Sequence, residues 1–251
     1  MEILSGVHIV DNVVMPGPGG ANSVNIVLLA GDDGRLTMVD AGPPGAEDDV
    51  CDYIGKIGYQ PADVKRIIVT HHHVDHTGGL AGLAQRTGAE VWAHREDAGF
   101  IDGSVPRPPV VFPEDRIRAF MPEATPEQMT EIRKRMEQGM KAVPVRVDLR
   151  LSGGEELAIL GGCTIIHTPG HTPGHLSLFL PCRDLLLAGD LMRYENGVLS
   201  GPPPGFTQDP EAAQASLRQV SALSFQHMCG YHGGFLSGNA SNQLRFDLEK
   251  M

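Results

Sequence analysis

The sequence predicts one mixed α/β domain, and three observations predict it. Short apolar runs such as Ile67–Val69 are bounded by turn-forming residues, as buried strands are. Segments with helical spacing alternate with these runs; in one of them Val50, Ile54 and Ile57 share a face. The 251 residues, 41% of them apolar, are enough for a single two-sheet or α/β unit, which we expect to span 1–251.

Turn residues separate the predicted elements in the first half of the chain. Gly31-Asp32-Asp33-Gly34 is typical of a hairpin turn, and Gly58 ends the first predicted helix. His94 stands alone; such a histidine is more often on the surface or behind a ligand than a ligand itself, and we leave it unassigned. The predicted strands are residues 3–14 (an edge strand with its loop), 22–30, 36–40, 67–69 and 90–93, and the predicted helices are 46–57, 79–87 and a short piece at 97–100.

Residues 101–144 differ in character from the sequence on either side. Their prolines at 106, 108, 109 and 113 break regular structure, and Thr125-Pro126-Glu127-Gln128 is a good helix start. We expect a helical insertion at about 101–144, packed on the main body of the domain. A partial lid or a homodimer contact is the alternative, since methionine adapts to varied surfaces. The apolar stripe of this helix consists of Met129, Ile132, Met136 and Met140.

Strands resume in the second half of the chain and again precede helices. Asp209-Pro210 is a cap for a helix that runs to about Leu223, and a last helix starts near Ser241. A Gly153-Gly154 turn separates the first two strands of this half. The predicted strands are residues 145–149, 156–160, 163–167, 176–180, 184–190 and 226–230.

Charge and composition narrow the function. The net charge is −11 with no long basic run, which argues against a nucleic-acid partner and for a small-molecule substrate. Solubility alone explains the acidity at least as well. The four cysteines are scattered, so no disulfide framework is expected and reduced thiols are the default. The N-terminal residues lack a basic region followed by an apolar stretch, and no run reaches the length of a membrane span. We therefore expect a cytoplasmic protein with no membrane partner.

The most informative stretch is the histidine-rich turn of residues 70–79, which follows the strand at 67–69. His71 and His73 are two residues apart, so an extended backbone points both side chains the same way. Asp75 and His76 follow where the chain turns, and they can converge from another direction. Imidazole and carboxylate groups at bonding distance suit Zn²⁺ or another first-row divalent metal. The pattern therefore predicts a metal site on a strand-to-helix turn.

His71-x-His73-x-Asp75-His76 resembles the HxHxDH signature of the metallo-β-lactamase superfamily. Three later segments match that family in the required order. Residues 168–175 (TPGHTPGH) resemble the turn that carries a ligand histidine, and Gly189-Asp190 resembles the strand end that carries a bridging carboxylate. Tyr231-His232-Gly233 resembles the final Gly-His-Gly, with tyrosine in place of the first glycine. The resemblance covers about residues 20 to 234.

The resemblance implies an αββα sandwich, in which two mixed β-sheets lie face to face with helices outside. It implies two Zn²⁺ ions per chain, with Mn²⁺ or Fe²⁺ as possible replacements. Asp40 and His175 are expected to support the ligands from behind, His72 to point away, and His227 to rank well below His232 as the last ligand. The implied ligands are His71, His73 and His171 for one ion, Asp75, His76 and His232 for the other, and Asp190 as the bridge.

The same resemblance implies a hydrolase that cleaves an ester, thioester or lactone with a metal-bridging hydroxide. Asp75 would orient this nucleophile and relay its proton, and Tyr194 and Phe206 are the candidate substrate contacts. Glyoxalase II-like thioesterases and acyl-homoserine-lactone lactonases carry a bridging aspartate, as at Asp190 here. Two alternatives from the same fold are a β-lactamase-type amide hydrolase and a mononuclear-iron oxidoreductase similar to persulfide dioxygenases.

Overall fold

The computed structural model describes residues 1–10, 13–17, 20–108, 122–139, 141–195 and 197–248. The strands are β1 (Glu2–Leu4), β2 (Val7–Ile9), β3 (Val14–Gly17), β4 (Gly20–Ser23), β5 (Val27–Ala30), β6 (Leu36–Val39), β7 (Val64–Val69), β8 (Glu90–His94), β9 (Leu149–Leu151), β10 (Glu156–Leu157), β11 (Cys163–His167), β12 (Leu176–Leu180), β13 (Leu185–Gly189), β14 (Arg193–Glu195), β15 (Val198–Ser200), β16 (His227–Gly230) and β17 (Phe235–Ser237). The helices are α1 (Glu47–Lys56), α2 (Val74–Thr77), α3 (Leu80–Thr87), α4 (Arg95–Asp102), α5 (Pro126–Gly139), α6 (Pro210–Ser221) and α7 (Ala240–Leu248), with 3₁₀ turns at Pro61–Asp63, Pro181–Arg183 and Pro204–Phe206.

These strands form two large mixed sheets and two small hairpins. The first sheet has the order β1-β2-β5-β6-β7-β8-β9, and the second has the order β10-β11-β12-β13-β16-β17. Strands β6 to β9 pair in parallel, as do β13 and β16, and the other pairs of both sheets are antiparallel. The pairs β3–β4 and β14–β15 are separate two-stranded hairpins.

Apolar side chains at alternate positions of the strands form a layer between the two sheets. Val27 and Leu29 of β5 and Ile68 of β7 face this layer from the first sheet. Leu178 of β12 and Leu187 of β13 meet them from the second sheet. Because successive side chains of a strand point to opposite faces, each sheet has its intervening residues on its outer face.

Helices cover both outer faces, which completes the predicted αββα arrangement. Leu28 and Ile67 of the first sheet pack against Val50 of α1 and Leu83 of α3. On the second sheet, Leu186 and its neighbours pack against α6 and α7 through a second outer cluster. Strands buried on both faces read as continuous apolar runs, which is why 67–69 and 185–188 are apolar throughout. The predicted fold class is confirmed by this layered architecture.

Several predicted strands are shorter or broken in the structure. The edge strand predicted at 3–14 is broken into β1 and β2 by a turn at Gly6, which has a positive φ. The strand predicted at 22–30 is two strands, β4 and β5. Between them the side-chain amide of Asn25 donates to the carbonyls of Gly230 and Gly233. Of the strand predicted at 145–149, only Leu149 lies in β9, although the N–H of Asp148 also donates to the carbonyl of Val91 on β8. Val145 instead donates its N–H to the carbonyl of Ile101 on α4. The strand at 156–160 ends at Leu157, since Leu160 adopts a positive φ in the following turn.

The predicted start of α5 agrees with the structure. Thr125 accepts from the N–H of Gln128, and Gln128 accepts from the N–H of Thr125, so a capping box begins this helix. Met129 is buried. The prolines at 109 and 113 and Met140 lie outside the described residues, and the role of the 101–144 insertion stays a prediction. No helix in the part of the chain that the structure describes has the length and apolar character needed to cross a membrane.

The layer between the sheets should dominate the stability of the fold. Leu178 is fully buried there, whereas Leu149 on the edge strand β9 has 43% of its surface exposed. We expect Leu178→Ala to lower the free energy of unfolding by about 2–5 kcal/mol, because it removes contacts and leaves a cavity. Leu149→Ala should change it by roughly 0.5 kcal/mol or less. Urea unfolding measures both values, and equal effects of the two substitutions would contradict this packing.

Candidate metal centre

The histidine-rich turn lies at the rim of the sandwich, directly after β7. The carbonyl of Thr70 accepts from the N–H of Leu176 at the start of β12, which ties this turn to the second sheet. His71 and His73 extend from the strand, and α2 then reverses the chain through Asp75 and His76. The structure thus brings the four predicted ligands of this motif to one edge, next to the strand ends of the second sheet.

The first group of ligand-type atoms comes from three histidines. Nδ1 of His73 lies 2.9 Å from Nε2 of His71 and 3.0 Å from Nε2 of His171. A neutral imidazole has one nitrogen with a proton and one with a free lone pair, so three such nitrogens cannot all satisfy one another. The ligand atoms of these residues all lie within 4.8 Å of one another, close enough to share one metal ion.

Burial favours the neutral, ligand-competent form of these histidines. It lowers the pKa of His73 to about 4, and it holds the pKa of His71 and of His171 well below the usual value. A neutral imidazole can offer a lone pair to a metal ion without first releasing a proton.

The second group consists of a carboxylate and two histidines. Oδ2 of Asp75 lies 3.0 Å from Nε2 of His232 and 3.9 Å from Nε2 of His76. Burial opposes ionisation of Asp75, but the charge of His76 and the hydrogen bond from His232 outweigh it, so the pKa of Asp75 lies below its usual range. The ligand atoms of these three residues also lie within 4.8 Å of one another.

Asp190 lies between the two groups. One of its oxygens, Oδ2, is 3.4 Å from Nε2 of His171 and 3.6 Å from Nε2 of His232. The other, Oδ1, is 3.5 Å from Nε2 of His76. The carboxylate therefore reaches the first group through His171 and the second through both of its histidines.

Unpaired buried atoms show what kind of group this site can hold. Nε2 of His76 and Oδ1 of Asp190 are both buried; they face each other at 3.5 Å, and neither makes a hydrogen bond among the described residues. Leaving such atoms unpaired costs free energy unless another group satisfies them. Imidazole nitrogens and carboxylate oxygens are the donors that zinc and other first-row divalent ions take in proteins. The donor set therefore fits metal ions.

Asp40, predicted to support the ligands from behind, orients His76. Its Oδ2 accepts from Nδ1 of His76 at 2.9 Å, and its Oδ1 accepts from the N–H of Thr70 at 2.8 Å. The hydrogen bond keeps a proton on Nδ1 of His76, so that Nε2 is the nitrogen that could bind a metal ion once its own proton is released. Burial would lower the pKa of His76, but the charges of Asp40 and Asp190 outweigh it and raise this pKa well above the usual value.

His175 has the corresponding position behind Asp190. Its Nε2 accepts from the N–H of Asp190 at 3.0 Å, so its proton lies on Nδ1, which is 2.8 Å from Oγ1 of Thr168. Burial lowers the pKa of His175 to about 4, in keeping with this neutral form. Gly170 in the same loop has φ +130°, and a Cβ there would lie 2.2 Å from the backbone nitrogen of Ala213, so the loop can pack on α6 only with glycine at this position.

The comparisons with known proteins agree with this geometry. The profile of the Metallo-beta-lactamase superfamily matches residues 19–225. The chain belongs to the metallo-beta-lactamase superfamily. A metallo-beta-lactamase family protein from Thermus thermophilus has a similar structure, with a TM-score of 0.70 and 27% identity over 99% of this chain and 80% of that one.

Two curated relatives are hydrolases by name. The hydroxyacylglutathione hydrolase GloC of Haemophilus influenzae is 28% identical over 181 residues, which are 72% of this chain and 72% of that protein. An N-acyl homoserine lactonase of Bacillus thuringiensis is 27% identical over 187 residues, which are 70% of this chain and 58% of that protein. Both proteins are therefore relatives of this chain that are named for a hydrolytic activity.

Tyr231, which replaces the first glycine of the family's Gly-His-Gly pattern, contacts ligands of the second group. Its hydroxyl donates to the backbone carbonyl of Asp75, and its ring lies against the imidazole of His76 with centroids 3.6 Å apart. His232 follows it directly in the chain. Asn25 holds the same turn, because its N–H donates to the carbonyl of Tyr231. No local sequence pattern indicates these roles, since they depend on contacts between distant segments.

The remaining predicted residues have varied surroundings. His72 points away from the ligands, as expected, and Nδ1 donates to Asp97. His94 is buried rather than on the surface; it caps α4 and stacks on His167. His227 contacts Ser237 and Phe235.

Two further residues concern the substrate. Tyr194 packs partly buried against the outer cluster of the second sheet, and Phe206 lies in the 3₁₀ turn Pro204–Phe206. Their contact with substrate stays a prediction.

The hydroxyl of Tyr231 should strengthen metal binding by the group of Asp75, His76 and His232. We expect Tyr231→Phe to lower the affinity for one of the bound metal equivalents by roughly fivefold to tenfold. This is the effect of losing about 1 kcal/mol from one buried hydrogen bond. Competition with a chromophoric chelator measures this affinity. Tyr59→Phe, at a partly buried tyrosine beside the first outer cluster, is the control. Equal affinities in wild type and Tyr231→Phe would contradict the assigned role.

Proposed function

We propose that the protein is a binuclear metal-dependent hydrolase that cleaves an ester, thioester or lactone bond of a small molecule. The observation that carries this proposal is the position of Asp190 between two groups of ligand atoms, with one oxygen toward His171 and His232 and the other toward His76. A carboxylate shared in this way supports two ions, one held by His71, His73 and His171, the other by Asp75, His76 and His232. Zinc is the ion that we propose, with manganese or iron as replacements.

The chain's own residues supply the remaining parts of the reaction. When bound, two such ions would lower the pKa of water toward neutrality and polarise a substrate carbonyl. We propose that Asp75 accepts the proton of the attacking water; its ionised carboxylate lies beside His232. Asp40 and His175 keep His76 and Asp190 in place, so that the donor atoms need not reorganise during the reaction.

Two kinds of observation support the substrate class. The named activities of the two curated relatives are hydrolysis of a glutathione thioester and of an acyl lactone, and both substrates carry an acyl carbonyl. The net charge of −11 favours a small molecule over a nucleic acid.

The four cysteines are free thiols, which is in keeping with a reducing cytoplasmic location. Within the proposed site, Tyr194 and Phe206 remain the candidates for substrate contact.

Metal content is the direct test of this proposal. We expect mass spectrometry of protein produced without added metal bias to find two zinc or manganese ions per chain. The protein should then hydrolyse members of a panel of thioesters, lactones and esters, and lose this activity when a chelator removes the metal. A single iron per chain, with oxygen uptake on a persulfide substrate, would replace the proposal with the oxidoreductase alternative. No metal after reconstitution would overturn it.

Substitution of the shared carboxylate should abolish most of the activity. We expect Asp190→Asn and His73→Ala each to lower kcat/KM by about 10³-fold, corresponding to about 4 kcal/mol of transition-state stabilisation lost with the metal. Asp184→Asn and His227→Ala, which change the same residue types at the far ends of β13 and β16, are matched controls and should keep full activity. Full activity in both site variants would contradict the proposed function.

A further inference from the structure

A buried carboxylate outside the ligand set lies at the start of α4. Asp97 is in the first turn of this helix and its side chain is fully buried. It comes after β8, between the histidine-rich turn and the 168–175 loop in the chain, and it belongs to neither motif. A buried charged group is costly unless hydrogen bonds satisfy it, so its partners show what it does.

Asp97 accepts hydrogen bonds from both loops that carry the three histidines of the first group. Its Oδ2 accepts from the N–H of His72 at 2.9 Å and from Nδ1 of His72 at 2.8 Å. The same oxygen accepts from Oγ1 of Thr172 at 2.8 Å, and Oδ1 accepts from the N–H of Gly174 at 2.7 Å. One side chain therefore joins two segments that lie about a hundred residues apart in the chain.

These contacts lie one peptide bond away from the ligands. His72 stands between His71 and His73, and Thr172 directly follows His171. The carbonyl of His72 is held as well, because Nη1 of Arg107 donates to it at 2.6 Å. Both polar groups of the His72 backbone are thus held, one by Asp97 and the other by Arg107, and Asp97 also joins this backbone to the 168–175 loop.

The electrostatic surroundings agree with this structural role. Burial by itself would raise the pKa of Asp97, but the hydrogen bond and charge of His72 and the bond from Thr172 outweigh it and lower this pKa. The helix N-terminus also favours a negative charge at this position. Asp97 is therefore an ionised acceptor for four donors, and every donor belongs to one of the two ligand loops.

We propose that Asp97 is a positioning residue, which sets the distance between His71 and His73 on one loop and His171 on the other so that they hold one metal ion. The inference rests on the proposed function, because it assigns a task within that metal centre. Asp97 makes no hydrogen bond to a residue of the second group, so we expect its substitution to act mainly on one of the two ions.

Asp97→Asn tests this role with little change in shape. In either orientation the amide NH₂ of asparagine faces a backbone N–H, that of His72 or that of Gly174, so at least one hydrogen bond is replaced by repulsion. We expect the affinity for one of two Zn²⁺ equivalents to fall by about 10–100-fold, as when an outer partner of a metal ligand is lost, and the other equivalent to be unchanged. The absorption spectrum of bound Co²⁺ should change for the same equivalent only.

A second variant and a metal-free measurement complete the test. Thr172→Val removes one of the four hydrogen bonds at similar side-chain volume. It should lower the affinity for the same Zn²⁺ equivalent by a smaller factor than Asp97→Asn does. In metal-free protein, Asp97→Asn should speed amide hydrogen exchange at His72 and Gly174. Asp102→Asn is the control, since this carboxylate lies on the same helix but pairs with Arg150 and Ser104.

The outcomes separate the two proposals. Two Zn²⁺ equivalents in wild type, with unchanged affinities and Co²⁺ spectrum in Asp97→Asn and Thr172→Val, would overturn the role of Asp97 and leave the hydrolase proposal standing. A wild type that binds no metal would overturn the hydrolase proposal, and unchanged exchange at His72 and Gly174 would then also refute the link between the loops. Equal weakening of both equivalents would show a general loss of structure and contradict a positioning role.

Discussion

Imidazole nitrogens and carboxylate oxygens lie close together and buried at the rim between the two sheets. This close approach of buried donor atoms is the constraint on which the rest of the structure depends. Nitrogens of His71, His73 and His171 approach to about 3 Å without enough protons for hydrogen bonds between all of them. Burial keeps these imidazoles neutral, and Asp190 lies beside a second group whose own atoms are partly unpaired. Such a cluster is unfavourable without a metal ion, so the surrounding residues must keep its side chains in position.

A layer of outer side chains holds it, and each comes from a different part of the fold. Asp40 at the end of β6 fixes His76, and His175 before β12 fixes Asp190. Asp97 on α4 joins the two loops of the first group, and Tyr231 after β16 joins the parts of the second. Because these supports lie on or beside the strands and helices, the positions of the donors follow from the packing of the sandwich.

The parallel strand pairs explain why the ligands share one edge. In β6 and β7, the carboxyl ends carry Asp40 and the histidine-rich turn side by side. In β13 and β16, Gly189 pairs with Gly230, which places Asp190 next to the turn that carries His232. The bond from Leu176 to the carbonyl of Thr70 brings the two sheets together at this edge. The site is therefore a consequence of strand direction and of the stacking of the sheets.

The sequence alone predicted a mixed α/β class and most element positions, because apolar periodicity depends on neighbouring residues. Its short motifs, through their resemblance to a known family, implied the αββα sandwich and the seven candidate ligands. It also predicted Asp40 and His175, which lie at strand ends beside those motifs. Only the tertiary structure decided the roles of Asp97, Tyr231 and Asn25, since each acts on a segment far away in the chain. It also decided that residues 145–147 lie outside the sheet, because the contact of Val145 with α4 overrides its local strand preference.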